Sequence, residues 1–321
     1  MSNIQVFIPT YNRSKLLLKA IESVQKQSYK NIEIIVLDNF SNDNTQDIVN
    51  KIIANDSRLK YIRNNENIGI IGNFNSIAQH ISAQYFCVLT DDDVYECDFL
   101  TAGIQLLQEN PIASAAIFNA PTRINGIIIK SQLSGWSEGI YSPYTALPYC
   151  LKQNHPILTN CLFKKEIVSI FNFEPILGGS ADIFFFIKLF ANYSTVVSKK
   201  VTGYYDLHES NETIKNKGVV NLRQAIYLKK IVESYLNNIS YDDYSLLIPS
   251  WYASLSSLIY HSKTGKELFQ IRKEKIIIDY YGKIFEVLLR ILSRRHLYSF
   301  AKVIIIKFKN IKNLFFEIIP F

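Results

Sequence analysis

Methionine and tryptophan are nearly missing from this 321-residue chain, with one and two copies, and glycine (12) and proline (9) are sparse. So few breakers exclude collagen-like, linker-like and low-complexity chains, and no internal repeat marks a solenoid. Cysteine is short as well. Cys87, Cys97, Cys150 and Cys161 form no C-x-x-C pair and have no zinc-finger spacing with the five histidines. That argues against a disulfide-framed secreted domain and predicts reduced thiols. Long apolar runs are lacking too. "MSNIQVFIPTYNR" has no basic start, and its apolar stretch is too short for a secretory signal. Residues 244–262 carry no formal charge, but six serines and a proline interrupt them, which predicts a buried helix rather than a membrane span. What remains, 48% hydrophobic and 20% charged, is the composition of a globular chain.

The C-terminal fifth has little acid. Residues 261–321 hold 13 Lys+Arg against 5 Asp+Glu, leaving 22 against 23 in residues 1–260. The net charge of +7 therefore belongs to the end of the chain, and the body is neutral. In 290–321, Lys302, Lys307, Lys309 and Lys312 break up Ile, Leu and Phe too often for a span. Two readings stand: an interfacial helix on an anionic membrane surface, or an amphipathic helix packed on the rest of the chain with its lysines in water. No nucleic-acid module accompanies the charge, so nucleic acid is not an expected partner.

Through the first 120 residues, strand and helix signals alternate. Short apolar β runs occur at 4–8, 32–37, 59–62, 85–90 and 113–118. Between them, 14–27, 44–54, 73–83 and 98–109 carry apolar residues at helical spacing, as with Leu17, Ile21 and Val24. The pattern predicts an α/β fold, a mostly parallel sheet flanked by helices. Residues 119–217 are less regular, and from about 219 the chain reads helical. We place one domain at 1–217, with halves 1–118 and 119–217, and a helical, basic region at 218–321. The polar segments PTYN, DNFSNDN, RNNENIG and DDD each fall just past the carboxyl end of a strand. Open α/β sheets bind their ligands at that edge.

The last of these segments raises a problem. Asp91, Asp92 and Asp93 repel one another, and a dry site makes the repulsion worse. Three readings compete. The first is a solvated turn capping the helix that starts near Asp98. In the second, "VLTDDDV" resembles the nucleophile motif of haloacid-dehalogenase-type phosphotransferases, with Asp91 and Asp93 as its pair. The third is a site where Mg²⁺ or Mn²⁺ takes one or two carboxylates together with the oxygens of a diphosphate.

The order of motifs adds a resemblance. "VFIPTYNRSKLLLKAIESVQKQSYKNIEIIVLDNFSNDNT" resembles the opening of family 2 glycosyltransferases with the GT-A fold: an apolar strand, P-T-Y-N-R, an amphipathic helix, a Q-x-Y turn, and a strand ending in D-D/N-x-S-x-D-x-T. "ENIGIIGNFN" is similar to the family's next element, and "TDDDVY" to its metal-binding aspartates. The resemblance covers residues 3–118 closely and 119–215 loosely. It implies a GT-A-like fold with a helical C-terminal extension. The implied reaction is metal-dependent, inverting transfer of a hexosyl or deoxyhexosyl unit from a nucleoside-diphosphate sugar to a glycan or lipid-linked acceptor. The implied setting is bacterial surface polysaccharide or lipopolysaccharide synthesis, in the cytoplasm or peripherally on the inner face of the membrane.

Position by position, the resemblance places Thr10, Tyr11, Asn12, Asp38, Asn39, Asn67, Gly69, Asn73, Asp91 and Asp92 around the nucleotide sugar. Asp93, Asp91 and His208 fall around a Mn²⁺ or Mg²⁺ ion, with Asp93 the expected metal contact. Asp38 and Ser41 also suit a plain turn cap, and Gly69 a purely backbone role. Asn39 stands where many relatives carry a second aspartate. It keeps an acceptor oxygen but loses the charge, which tilts the expected donor from UDP toward dTDP or CDP. An inverting transfer needs a carboxylate to take the acceptor's proton. The resemblance puts it at Asp182 in "GGSADIFFFIKLF", where the same residue suits a helix cap. "YYDLHESNET" resembles the family's Y-R-x-H-x-x-S, with Asp206 in place of the arginine. The alternative from another class is a non-catalytic nucleotide-sugar or membrane-binding scaffold.

Overall fold

Four strand–helix units open the chain. β1 (Ile4–Thr10) leads to α1 (Ser14–Gln25), β2 (Ile32–Asp38) to α2 (Thr45–Ile53), and β3 (Leu59–Arg63) to α3 (Gly69–Ser76). β4 (Tyr85–Val88) leads through the short β5 (Val94–Tyr95) to α4 (Phe99–Glu109). There follow β6 (Ala115–Asn119), β7 (Thr122–Ile124), β8 (Ile127–Lys130), β9 (Gly139–Tyr141), α5 (Leu147–Leu151), β10 (Cys161–Lys164), α6 (Ala181–Asn192), β11 (Thr195–Val201) and β12 (Gly203–Asp206). The computed structural model describes residues 3–124, 126–151, 155–175 and 181–206, all within the unit Met1–Glu209. The boundary expected near 217, His208, the segment 244–262 and the basic stretch 290–321 lie outside the described residues. No helix among the described residues is long and apolar enough to cross a membrane.

Eight strands form one sheet in the order β3-β2-β1-β4-β10-β6-β11-β9. The first four are parallel, β6 and β11 point the same way, and β10 and β9 run against them. This is the mostly parallel α/β sheet expected from the alternating signals, and it agrees with the GT-A-like fold that the resemblance implies. β10 is reversed because the short 3₁₀ turn Leu158–Asn160 delivers the chain to the carboxyl edge, next to the end of β4. β5, β12, β7 and β8 form a second, four-stranded sheet.

The side-chain period of two splits the core into two layers. Ile4, Val6 and Ile8 of β1 join Ile34, Val36, Cys87 and Leu162 in one cluster with Leu17, Ile21 and Val24 of α1 and Phe99, Ile104 and Leu107 of α4. Phe86 and Phe163, on the alternate positions, meet Phe171 and Phe185 of α6 at ring separations of 5.3–5.5 Å. Helices thus cover both faces.

Several boundaries moved, two of them for identifiable local reasons. α3 begins at Gly69, not 73, because Asn67 Oδ1 accepts the Gly69 N–H at 2.9 Å and Gly69 takes φ +75°. β4 ends at Val88, not 90, because Thr90 folds into a turn with Asp93, whose N–H donates to the Thr90 carbonyl at 3.1 Å.

Gly103 is the contact point of α4 on β10. A Cβ there would lie 2.8 Å from Leu162 Cδ2, a buried side chain. Gly103→Val should therefore destabilise the fold by about 2–3 kcal/mol, seen as a lower urea midpoint at unchanged slope; an unchanged midpoint would mean that α4 is loosely seated.

Candidate active site

The carboxyl edge of β1, β2, β3 and β4 gathers the four polar segments. After β1, Asn12 takes φ +53°, a left-handed conformation that asparagine tolerates. Its N–H donates to Ser41 Oγ at 2.9 Å, and its Oδ1 accepts the Asn42 N–H at 2.7 Å. The loops after β1 and β2 are thereby stitched together. Asp38, buried at the end of β2, accepts the Ser41 N–H and Oγ–H on Oδ1 and the Tyr61 phenol on Oδ2. Burial, and then the hydrogen bond to Asp38, push the Tyr61 phenol up. Arg63 lies 3.4 Å from Asp38 Oδ2 and donates to the Ser41 carbonyl at 2.8 Å. Its guanidinium covers the Phe40 ring at 4.7 Å. Tyr11 stands exposed at the mouth.

The counter-charge to the aspartates is Arg13. Its Nη1 donates to Asp91 Oδ1 at 3.0 Å and to Asp92 Oδ2 at 3.1 Å. The second Asp91 oxygen accepts the Thr10 hydroxyl at 2.8 Å. Asp93 points elsewhere: its Oδ2 accepts the hydroxyls of Thr90 at 2.5 Å and Thr159 at 2.8 Å. Burial pushes Asp93 up to about 7, and the Asp92 charge adds to the push. Burial likewise lifts Asp91 to about 6, against the pull of Arg13. The three consecutive carboxylates are therefore not equivalent. Asp91 and Asp92 share a guanidinium, and Asp93 is enclosed by two threonines.

Four asparagines form a second network. Asn39 donates to Asn67 Oδ1 at 2.8 Å, while its own oxygen accepts from Asn64 at 3.1 Å and from the Ile68 N–H at 3.0 Å. Asn64 also donates to Asn73 Oδ1, and Asn73 donates to the Leu37 carbonyl. Backbone groups at Ile68, Gly69 and Leu37 fix which end of each amide is the oxygen. Both acceptor positions of Asn39 are thus engaged within the protein, and the residue is buried.

Residues 5–171 match Glycosyl transferase family 2. The chain belongs to that family. It is a glycosyltransferase, and the phosphotransferase and scaffold readings fall with that membership. The GalNAc(5)-diNAcBac-PP-undecaprenol beta-1,3-glucosyltransferase of Campylobacter jejuni is 28% identical over 277 residues, 84% of this chain and 87% of that one. The UDP-Glc:alpha-D-GlcNAc-diphosphoundecaprenol beta-1,3-glucosyltransferase WfaP of Escherichia coli is 29% identical over 182 residues, 51% of this chain and 72% of its own. Among solved structures, S. aureus TarS 1-349 in complex with UDP-GlcNAc has a TM-score of 0.60 at 15% identity, covering 93% of this chain and 92% of that one, a likeness of fold.

In this glycosyltransferase the remaining expected residues lie as follows. Gly69, with Asn67 behind it, opens α3. Asp182 is half-buried in the first turn of α6, where its Oδ1 accepts the Ile183 N–H at 2.8 Å. Among the described residues, no hydrogen bond joins it to Asp91 or Asp93. Asp206, which stands where the family pattern has arginine, is held by Nε and Nη2 of Arg123 at 2.7–2.8 Å, and its charge reaches Asp93. Sequence reasoning passed over Arg13, Tyr61, Arg63 and Thr159. Arg13 was within reach, because it closes the quoted P-T-Y-N-R.

The raised acids set a pH dependence. The folded state holds a proton on Asp93 that the unfolded chain has lost, so stability falls as pH rises from about 4 to about 7. Asp93→Asn keeps an acceptor for both threonines and has no charge to bury. In metal-free protein it should be more stable than wild type at pH 8 by about 1–3 kcal/mol, with the gap closing toward pH 4. Parallel urea curves across that range would contradict the assignment.

Proposed function

We propose that this glycosyltransferase moves a sugar, with inversion, from a UDP-sugar to a saccharide carried on a polyprenyl diphosphate in bacterial glycan synthesis. The observation that carries the reading is the joint aim of Asp91 and Asp92 at one guanidinium, beside Thr10 and Asp38, on the carboxyl edge of a parallel sheet. The named relatives act on undecaprenol-linked acceptors and attach glucose in a β linkage, which supports the acceptor class and the inversion. WfaP is named for UDP-Glc. With the Asn39 oxygen engaged internally, its neutrality does not favour another base.

The acid set suits a divalent cation shared with a diphosphate. No three His, Cys, Asp or Glu residues gather into a metal-holding group among the described residues. Such sites use one or two carboxylates plus phosphate oxygens and water. Asp92 and Asp91 would hold Mg²⁺ or Mn²⁺, which supplies neutralisation of the departing diphosphate. We prefer Asp92 to the expected Asp93 as the metal contact, on the ground that one Asp93 oxygen, Oδ2, already accepts two hydroxyls. His208, outside the described residues, remains a further candidate ligand. Arg13, beside these two carboxylates, would pair with a diphosphate oxygen. Asp38, Thr10, Tyr11 and the asparagine network shape the nucleoside side. Asp182 takes the proton of the acceptor hydroxyl as that oxygen bonds the anomeric carbon and the bond to the diphosphate breaks.

The test combines UDP-glucose, Mn²⁺ and a polyprenyl-diphosphate N-acetylhexosamine, and follows UDP release together with the anomeric configuration of the product. Asp182→Asn should lower kcat by about 10²–10⁴ while the thermal shift given by UDP and Mn²⁺ persists. Full activity in that variant would remove Asp182 from the role of base. Asp92→Asn should weaken Mn²⁺ binding by about tenfold or more, and Asp93→Asn should change it far less. The reverse ranking would return the metal to Asp93. In a panel of UDP, dTDP, CDP and GDP, UDP should give the largest shift in melting temperature.

A further inference from the structure

The β7–β8 hairpin carries no residue placed in the site, yet four of its large apolar side chains are exposed, and Ile127 more than any other among the described residues. Ile124 pairs with Ile127 across the turn, and Gly126 takes φ +79° there. Ile127 is 70% exposed, Ile128 57%, Ile129 53% and Ile124 41%. Successive strand residues point to opposite faces, so isoleucines project from both sides of β8. A strand in a sheet surrounded by water buries at least one face, but nothing among the described residues covers either face of β8.

Two occupants could cover it, a protein surface or a lipid interface. A protein seated on the sheet would cover one face and leave isoleucines on the other in water. A lipid interface surrounds an inserted hairpin on all sides. Lys130, exposed at the end of the apolar stretch, carries a charge that suits an anionic headgroup. The location agrees. β8 is the outer strand of β5-β12-β7-β8, and β5 begins at Val94, directly after Asp93. Three strand pairings tie the hairpin to the carboxylate loop.

We propose that the β7–β8 hairpin inserts its isoleucines into the interface of an anionic bilayer and docks the carboxylate edge beside a membrane-anchored acceptor. The acceptor clause rests on the proposed function; the docking itself does not.

The experiment is therefore run first without any acceptor. The full chain is sedimented with vesicles of phosphatidylglycerol and phosphatidylcholine, and with phosphatidylcholine alone. Wild type should bind the anionic vesicles. A triple variant, Ile127→Ser, Ile128→Ser and Ile129→Ser, should lose about tenfold or more in vesicle affinity at an unchanged melting temperature, since these side chains are exposed. Lys130→Glu should weaken binding to anionic vesicles only. In the second stage, the triple variant should keep its rate on a water-soluble acceptor analogue and lose rate on the vesicle-embedded one. Wild type that ignores vesicles, or a triple variant that binds as well as wild type, overturns the proposal. So does a wild-type dimer that the triple variant converts to monomer without change in vesicle binding, which would assign the face to a second copy. Hairpin-dependent binding with no transfer to a lipid-linked acceptor would leave the docking standing and remove the acceptor reading.

Discussion

Three adjacent carboxylates at the dry end of a sheet need their charge answered before that edge can hold anything else. The fold answers it in two ways. Arg13 spans Asp91 and Asp92 through one nitrogen, which sets one positive charge against two negative ones. Asp93 is turned into a pocket of two threonine hydroxyls, where burial favours its protonated form. An edge built of adjacent carboxylates with a guanidinium among them is suited to a cation shared with a diphosphate.

The neighbouring asparagines solve the opposite problem. Segments after β2 and β3 must hold a shape without adding to the negative charge next door. Amide-to-amide hydrogen bonds do this with neutral groups, and backbone N–H and C=O groups at both ends set their direction. Such a network is rigid only when every member is satisfied, and Asn39 shows how fully this one is. Its oxygen accepts twice and its amide donates once. Placing a carboxylate there would bring a charge and remove the donor to Asn67.

The alternation of strands and helices, their order, and the edge at which the polar segments meet were all legible in the sequence, because each depends on local periodicity. The second sheet was not. β5, β7, β8 and β12 are two to four residues long, too short to show a period, and the pairing of β12 with β5 and β7 is long-range. The division of labour among Asp91, Asp92 and Asp93 was equally hidden. Identical neighbours carry no register, and the partners that separate them, Arg13 and Thr159, lie 78 and 66 residues away. Asn39 was read from its lost charge, whereas its partners at 64, 67 and 68 determine what its oxygen can do. The isoleucines of β8 mislead by composition. Three in a row suggest a buried strand, and only the structure shows that nothing among the described residues covers them.

Strain marks where this edge has been held to one shape. Phe40, a bulky residue at φ +67°, occupies a conformation that costs an L residue about 1–2 kcal/mol. It persists because its surroundings over-determine it. Arg63 covers its ring, Arg63 also ties the Ser41 carbonyl, and Ser41 is gripped by both Asp38 and Asn12. A glycine would adopt this backbone at no steric cost, so the turn alone does not account for the phenylalanine. Its half-exposed ring sits one residue past Asn39, in the segment that the family resemblance places against the nucleoside. One face is already taken by a cation, and an aromatic ring so placed is a platform that remains in position whether or not a planar ligand rests on its other face.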